Sequence, residues 1–256
     1  MPSPAKKTRT LCMIGDSQIG SVSLALREGQ TTVPKGYDLE FWGVEGPAFR
    51  SIDWIDGAIR PAPAALERVL TINGNGRDHI APGQFDGVIF YCARLRVSMF
   101  FAEYFQWASG RVTRPSRAVL ETAVHDFAIS TRAYRFGRAL AEAGDAVFYV
   151  PAPFNTDGIR DLTAPGNLYQ NCSAAFAATA EDRAELWDAF ERVAARDGIT
   201  LLRQPEDTVT KGILTKAEFC CEGALEMDDI GHKSPAFAAR WLQDLWPMVD
   251  TQLNAA

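Results

Sequence analysis

Three side chains near opposite ends of this 256-residue chain have the types needed to activate a serine: Ser17, Asp229 and His232. A serine hydroxyl is a weak nucleophile and needs a neighbouring base, most often histidine, to remove its proton. Asp229 lies three residues before His232, in Asp229-Ile-Gly-His232. A short turn there would set the carboxylate against the imidazole, fix its tautomer and stabilise the imidazolium. Ser17 follows a short apolar run, in Ile14-Gly15-Asp16-Ser17, where a strand would give way to a helix. A helix N-terminus carries unpaired N–H groups and the positive end of a dipole, both suited to a developing oxyanion.

Each residue alone also has a plainer role. Ser17 could be a helix N-cap, Asp16 a turn residue, and His232 a packed or capping side chain beside the last helix. The combination favours chemistry: a serine after the first strand and an Asp-x-x-His before the last helix.

The elements that must position them alternate. Thr10–Ile14, Leu39–Val44, Gly87–Cys92, Ala146–Val150 and Ile199–Leu202 read as buried strands. Helical patterns lie between and after them. One runs from Gln18 to near Gly29. A long one, opened by Thr113 and Pro115 and stopped by Gly144, carries the stripe Leu120, Val124, Phe127, Tyr134 and Leu140. Another is opened by a Thr179–Asp182 capping box, and the last by Ser234-Pro235. This alternation predicts a three-layer α/β/α domain with a mostly parallel five-stranded sheet, flavodoxin-like, spanning residues 1–256 as one unit. Asp53–Phe85 and Asn155–Ala178 read as long loops, which in a compact domain are often functional.

Composition narrows the function classes. The net charge is −6, from 26 basic and 32 acidic residues, so a broad basic face for nucleic acid is not expected. No apolar run is long enough for a membrane span. The basic start, with Lys6, Lys7 and Arg9, leads into an apolar run too short for a signal peptide. The five cysteines form no metal-ligand spacing and suit a reducing compartment. These features predict a cytoplasmic protein with no metal and no organic cofactor, and leave the oligomeric state open.

The segments Ile14-Gly15-Asp16-Ser17 and Asp229-Ile-Gly-His232-Lys-Ser-Pro resemble the first and last sequence blocks of the SGNH/GDSL hydrolases, in order and near the right ends. The resemblance implies an ester hydrolase or acyltransferase, with Ser17 as nucleophile, His232 as base and Asp229 as its orienting partner. It also implies an oxyanion hole formed by the backbone N–H of Ser17 and of a glycine after the second strand. Gly46, in Gly43-Val-Glu-Gly46, is similar to that glycine, and a plain turn is the alternative. The family's third block supplies an asparagine side chain to the hole. Here the matching stretch is Cys92-Ala-Arg-Leu-Arg96 and the asparagine is absent. Loss of one such donor typically costs about 10²–10³ in rate. Arg94 and Asn155 are the candidate replacements, with a salt-bridged arginine and a loop cap as their ordinary roles.

Phe100, Phe101, Tyr104, Phe105 and Trp107 are spaced to pack a core or, on the sharper reading, to wall the site and stack on a sugar ring. The expected substrate is a small-molecule or glycan ester with a small acyl group such as acetyl. Transfer to an acceptor, or glycan binding without catalysis, are the alternatives.

Overall fold

The computed structural model describes residues 8–74 and 76–255; Lys6 and Lys7 lie outside them. In chain order the elements are β1 (Arg9–Gly15), α1 (Ile19–Arg27), β2 (Tyr37–Gly43), β3 (Ile52–Ile55), β4 (Ala58–Pro61), α2 (Pro63–Ile72), β5 (Gly87–Tyr91), α3 (Val97–Ser109), α4 (Arg117–Ser130) and α5 (Arg132–Glu142). They continue with β6 (Val147–Val150), β7 (Asn155–Thr156), α6 (Ala180–Arg196), β8 (Ile199–Leu201), β9 (Val209–Thr210), β10 (Leu214–Thr215) and α7 (Pro235–Ala255).

Five strands form one parallel sheet in the order β2-β1-β5-β6-β8. Counted among themselves these strands run 2-1-3-4-5, the flavodoxin-like order, which reverses direction between β1 and β5. Ligands of such sheets bind outside the strand carboxyl ends at that reversal. The fold class read from the alternation of elements is therefore the one observed.

Alternate side chains of each strand feed two cores. Leu11 and Met13 of β1, with Ile89 and Tyr91 of β5, pack under α1 and α7 against Val22, Phe237 and Trp241. Cys12, Ile14, Val88 and Phe90 face the opposite layer, where Leu120, Phe136, Leu140 and Phe190 come from α4, α5 and α6. The capping box of α6 is present: Asp182 N–H donates to Thr179 Oγ1, and Asp182 Oδ2 accepts from Thr179 N–H.

Two expectations need correction. The long helix expected between Pro115 and Gly144 is two helices, broken at Thr131, whose backbone is extended (φ −82°, ψ 118°). Arg135 donates to the carbonyls of Ile129 and Ser130, covering the C-terminal acceptors that the break exposes, and Arg132 donates to Ile52 O. The stretch Asp53–Phe85 is not one loop. It contains the rest of the antiparallel hairpin β3–β4, then α2, which Pro63 opens at its first turn. Asp56 and Gly57 turn the hairpin with φ of 51° and 73°, both left-handed, the pattern of a two-residue type I′ turn.

The carboxyl ends of β1 and β2 meet closely. A Cβ on Gly43, at φ 153°, would lie 1.9 Å from Gly15 O, so only glycine fits there. That approach brings the loop after β2 alongside Ser17.

Candidate active site

Ser17 sits in the turn between β1 and α1. Asp16 Oδ1 accepts from Gln18 N–H, and the turn tightens through Ile19 N–H to Asp16 O and Gly20 N–H to Ser17 O. Asp229, Ile230 and Gly231 form the loop that precedes α7. Asp229 Oδ1 accepts from the N–H groups of Gly231 and His232, both at 3.0 Å, an Asx turn that presents the imidazole.

The two ends of the chain meet here. Ser17 Oγ lies 2.7 Å from His232 Nε2, and His232 Nδ1 lies 2.6 Å from Asp229 Oδ2. With Asp229 ionised, Nδ1 carries the proton and donates to it, leaving Nε2 to accept from the serine hydroxyl. Burial pushes the Asp229 carboxyl up. The hydrogen bonds from the His232 backbone, the His232 ring and the Gly231 N–H outweigh it, and the group is held below its ordinary range. Gln18 Nε2 donates to Gly231 O and ties the serine turn to the histidine loop.

Ser17, Gly46, Arg94 and Asn155 line one cavity of about 450 Å³ with His232. The N–H groups of Ser17 and Gly46 have no acceptor among the described residues. Gly46 has φ 44° and opens a 3-10 turn, Gly46–Ser51. Arg94 is itself left-handed, at φ 65°, two residues after Cys92 at φ 52°; strained backbone of this kind costs of order 1–3 kcal/mol. Its guanidinium donates to Gly46 O, stands 3.3 Å from Asp16 Oδ2 and lies over the Phe49 ring. Arg94 thus braces the glycine loop against the serine turn. Asn155 Nδ2 donates to the Tyr169 hydroxyl, which donates to Ser98 Oγ, a hydrogen-bonded chain along the cavity wall.

The aromatic cluster after β5 does not wall this cavity. Phe101 and Phe105 are buried on α3, and Phe100 packs against Phe127 and Phe190. The cavity wall instead includes Arg50, Arg96 and Arg160, which sequence reasoning did not single out, because isolated arginines after strands carry no periodic signal. The sugar-stacking reading of these aromatics is withdrawn on that geometry. Cys220 and Cys221 are half-buried, with Cys221 Sγ 3.8 Å from Asp229 Oδ2.

Lys233 is the other unforeseen residue. It is buried, and its Nζ donates to Thr156 Oγ1, Ile230 O and Gly231 O, pinning the Asp229–His232 loop to β7. Burial lowers its pKa from 10.5 to about 8. Below pH 8 the folded and unfolded chains both hold this proton, and the fold bears the full cost of the buried ammonium. Between pH 8 and 10.5 the unfolded chain binds more proton, so this residue makes stability rise with pH. Raising the pH from 7.5 to 9.5 is therefore expected to stabilise the native chain relative to Lys233→Met by about 2 kcal/mol. Urea unfolding of both proteins at the two pH values measures this, and parallel shifts would show that Lys233 does not titrate there.

No family model matches the chain, and no curated protein does. Among solved structures, a Salmonella ser. Paratyphi A lipopolysaccharide acetyltransferase periplasmic domain is similar at 12% identity over 96% of this chain and 85% of that one, with a TM-score of 0.41. An extracellular lipase from Streptomyces rimosus is similar at 12% identity over 95% and 99%, with a TM-score of 0.44. Neither likeness bears on the chemistry of this site. No helix among the described residues is long and apolar enough to cross a membrane.

Proposed function

We propose that this chain processes carboxylic esters through an acyl-enzyme on Ser17. The supporting observation is the unbroken contact from Ser17 Oγ through His232 to Asp229, at 2.7 and 2.6 Å, inside a cavity that also presents two unpaired backbone N–H groups. Ser17 Oγ attacks the acyl carbon while His232 Nε2 takes its proton. The N–H groups of Ser17 and Gly46 receive the oxyanion, and His232 returns the proton to the departing alcohol. Water, activated by His232 in turn, releases the acid; an acceptor hydroxyl in its place would make the reaction a transfer. Arg94 and Asn155 each keep a side-chain N–H without a protein acceptor and complete the donor set in place of the family's asparagine. A small acyl group such as acetyl fits a cavity of this volume. A glycan alcohol is retained on the breadth of the resembled family alone.

Incubation with a fluorophosphonate, which reacts only with an activated serine, is expected to label the Ser17 peptide in a mass spectrum. Prior His232→Ala substitution is expected to prevent labelling. Ester turnover with label on another residue would assign a different nucleophile. Neither label nor turnover would favour a binding protein on the same fold.

A further inference from the structure

The cavity holds more positive charge than this chemistry uses. Four arginines line it, Arg50, Arg94, Arg96 and Arg160, with three aspartates, Asp16, Asp228 and Asp229. The aspartates are all engaged: Asp229 by His232, Asp16 by Arg94, and Asp228 by Arg160 at 2.8 Å. The side chains of Arg50 and Arg96 have no hydrogen bond or ion pair among the described residues, and both residues are exposed.

These charges crowd one another. Burial lowers the Arg94 pKa most. Asp16 opposes that, and Arg96, Arg50 and Arg132 add to it as like charges. The first turns of α1 and α3 contain no acidic residue, and Ser17, Gln18, Ser98 and Met99 bring both turns to the cavity. So a chain of net charge −6 concentrates uncompensated positive charge at the entrance to its serine. Two guanidinium forks with free N–H groups match the planar or tetrahedral oxygens of a carboxylate or a phosphoryl group. Met99 and Leu168, large apolar side chains on the same rim, are exposed beside them.

We propose that the substrate of this site carries a compact anion, a carboxylate or a phosphoryl group, which Arg50 and Arg96 hold while the ester faces Ser17. Met99 and Leu168 then cover the apolar part that joins the two. This deepens the ester-processing reading and rests on it for the ester alone.

The test compares kcat/KM for 4-acetoxybenzoate and its neutral counterpart phenyl acetate at low salt, in wild type, Arg50→Gln, Arg96→Gln and the double variant. Beside it, calorimetry with Ser17→Ala protein and its Arg50→Gln/Arg96→Gln derivative measures binding of 4-hydroxybenzoate and of phenylphosphonate. The anionic ester is expected to be preferred by about 100-fold. The preference should fall about tenfold with each arginine, the size of one charge-assisted hydrogen bond. It should also shrink as salt is added. The tighter of the two calorimetric probes assigns carboxylate or phosphoryl. Equal use of both esters with no anion bound would overturn the anion site and leave the esterase reading standing. Arginine-dependent anion binding without turnover of either ester would uphold the anion site and defeat the esterase reading.

Discussion

Ser17→Ala is expected to lower kcat for p-nitrophenyl acetate by about 10³-fold or more. Removing the serine of a Ser–His–Asp apparatus costs about 10⁶ in kcat in a well-studied protease, because the remaining residues have nothing to activate. A donor set weaker than the asparagine of the resembled family would lower the starting rate by up to about 10³ and narrow the measurable window to about 10³. The substitution removes one hydroxyl from a half-buried turn and leaves Asp16 Oδ1 bonded to Gln18 N–H, so the fold is expected to persist. Initial rates of both proteins, corrected for buffer hydrolysis, decide the matter. Equal rates would mean that surface groups, not Ser17, turn over the ester.

Asp229→Asn is expected to lower kcat by about 10⁴ with little change in thermal midpoint. The asparagine keeps an oxygen to accept from Gly231 and His232 N–H, so the turn survives. Its amide nitrogen, however, would face His232 Nδ1 as a donor. The ring proton then moves to Nε2, which can no longer accept from Ser17; an equivalent exchange in a serine protease costs that much. The native carboxyl is held below its ordinary range, so it is ionised throughout the pH interval of an esterase assay. An Asp229→Asn protein within tenfold of wild type would show that the carboxylate does not set the tautomer.

What was legible in the chain was local. The five strands were readable because each is a short apolar run closed by Gly, Pro or a charged turn, and the α6 cap because Thr179 and Asp182 stand three apart. Ser17, Asp229 and His232 were readable because two short segments carry them. The hairpin β3–β4 was also written in the chain, as Asp56-Gly57 between Trp54-Ile55 and Ala58-Ile59. The Gly, Pro and Asn that crowd the residues after it mask that signal and make the whole stretch read as loop. The break at Thr131 was not legible: no Gly or Pro marks it, and the groups that complete it, Arg135 and Ile52, act through tertiary contact. The same holds for Lys233, whose partner Thr156 lies 77 residues away, and for the arginine rim, which three separate segments of the chain assemble.

Ser17 and His232 are 215 residues apart in sequence, and α7, which follows the histidine, must lie on α1 before they can meet. Closing a loop of that length costs about 5 kcal/mol of chain entropy, recovered only when both cores have formed. During synthesis, on the ester-processing reading, Ser17 is made before His232 and stays inert until His232 has emerged and docked. A partly made chain carries an unactivated hydroxyl and attacks nothing. Onset of reactivity at Ser17 would therefore serve as a clock for the last step of folding, later than any signal from the strands alone.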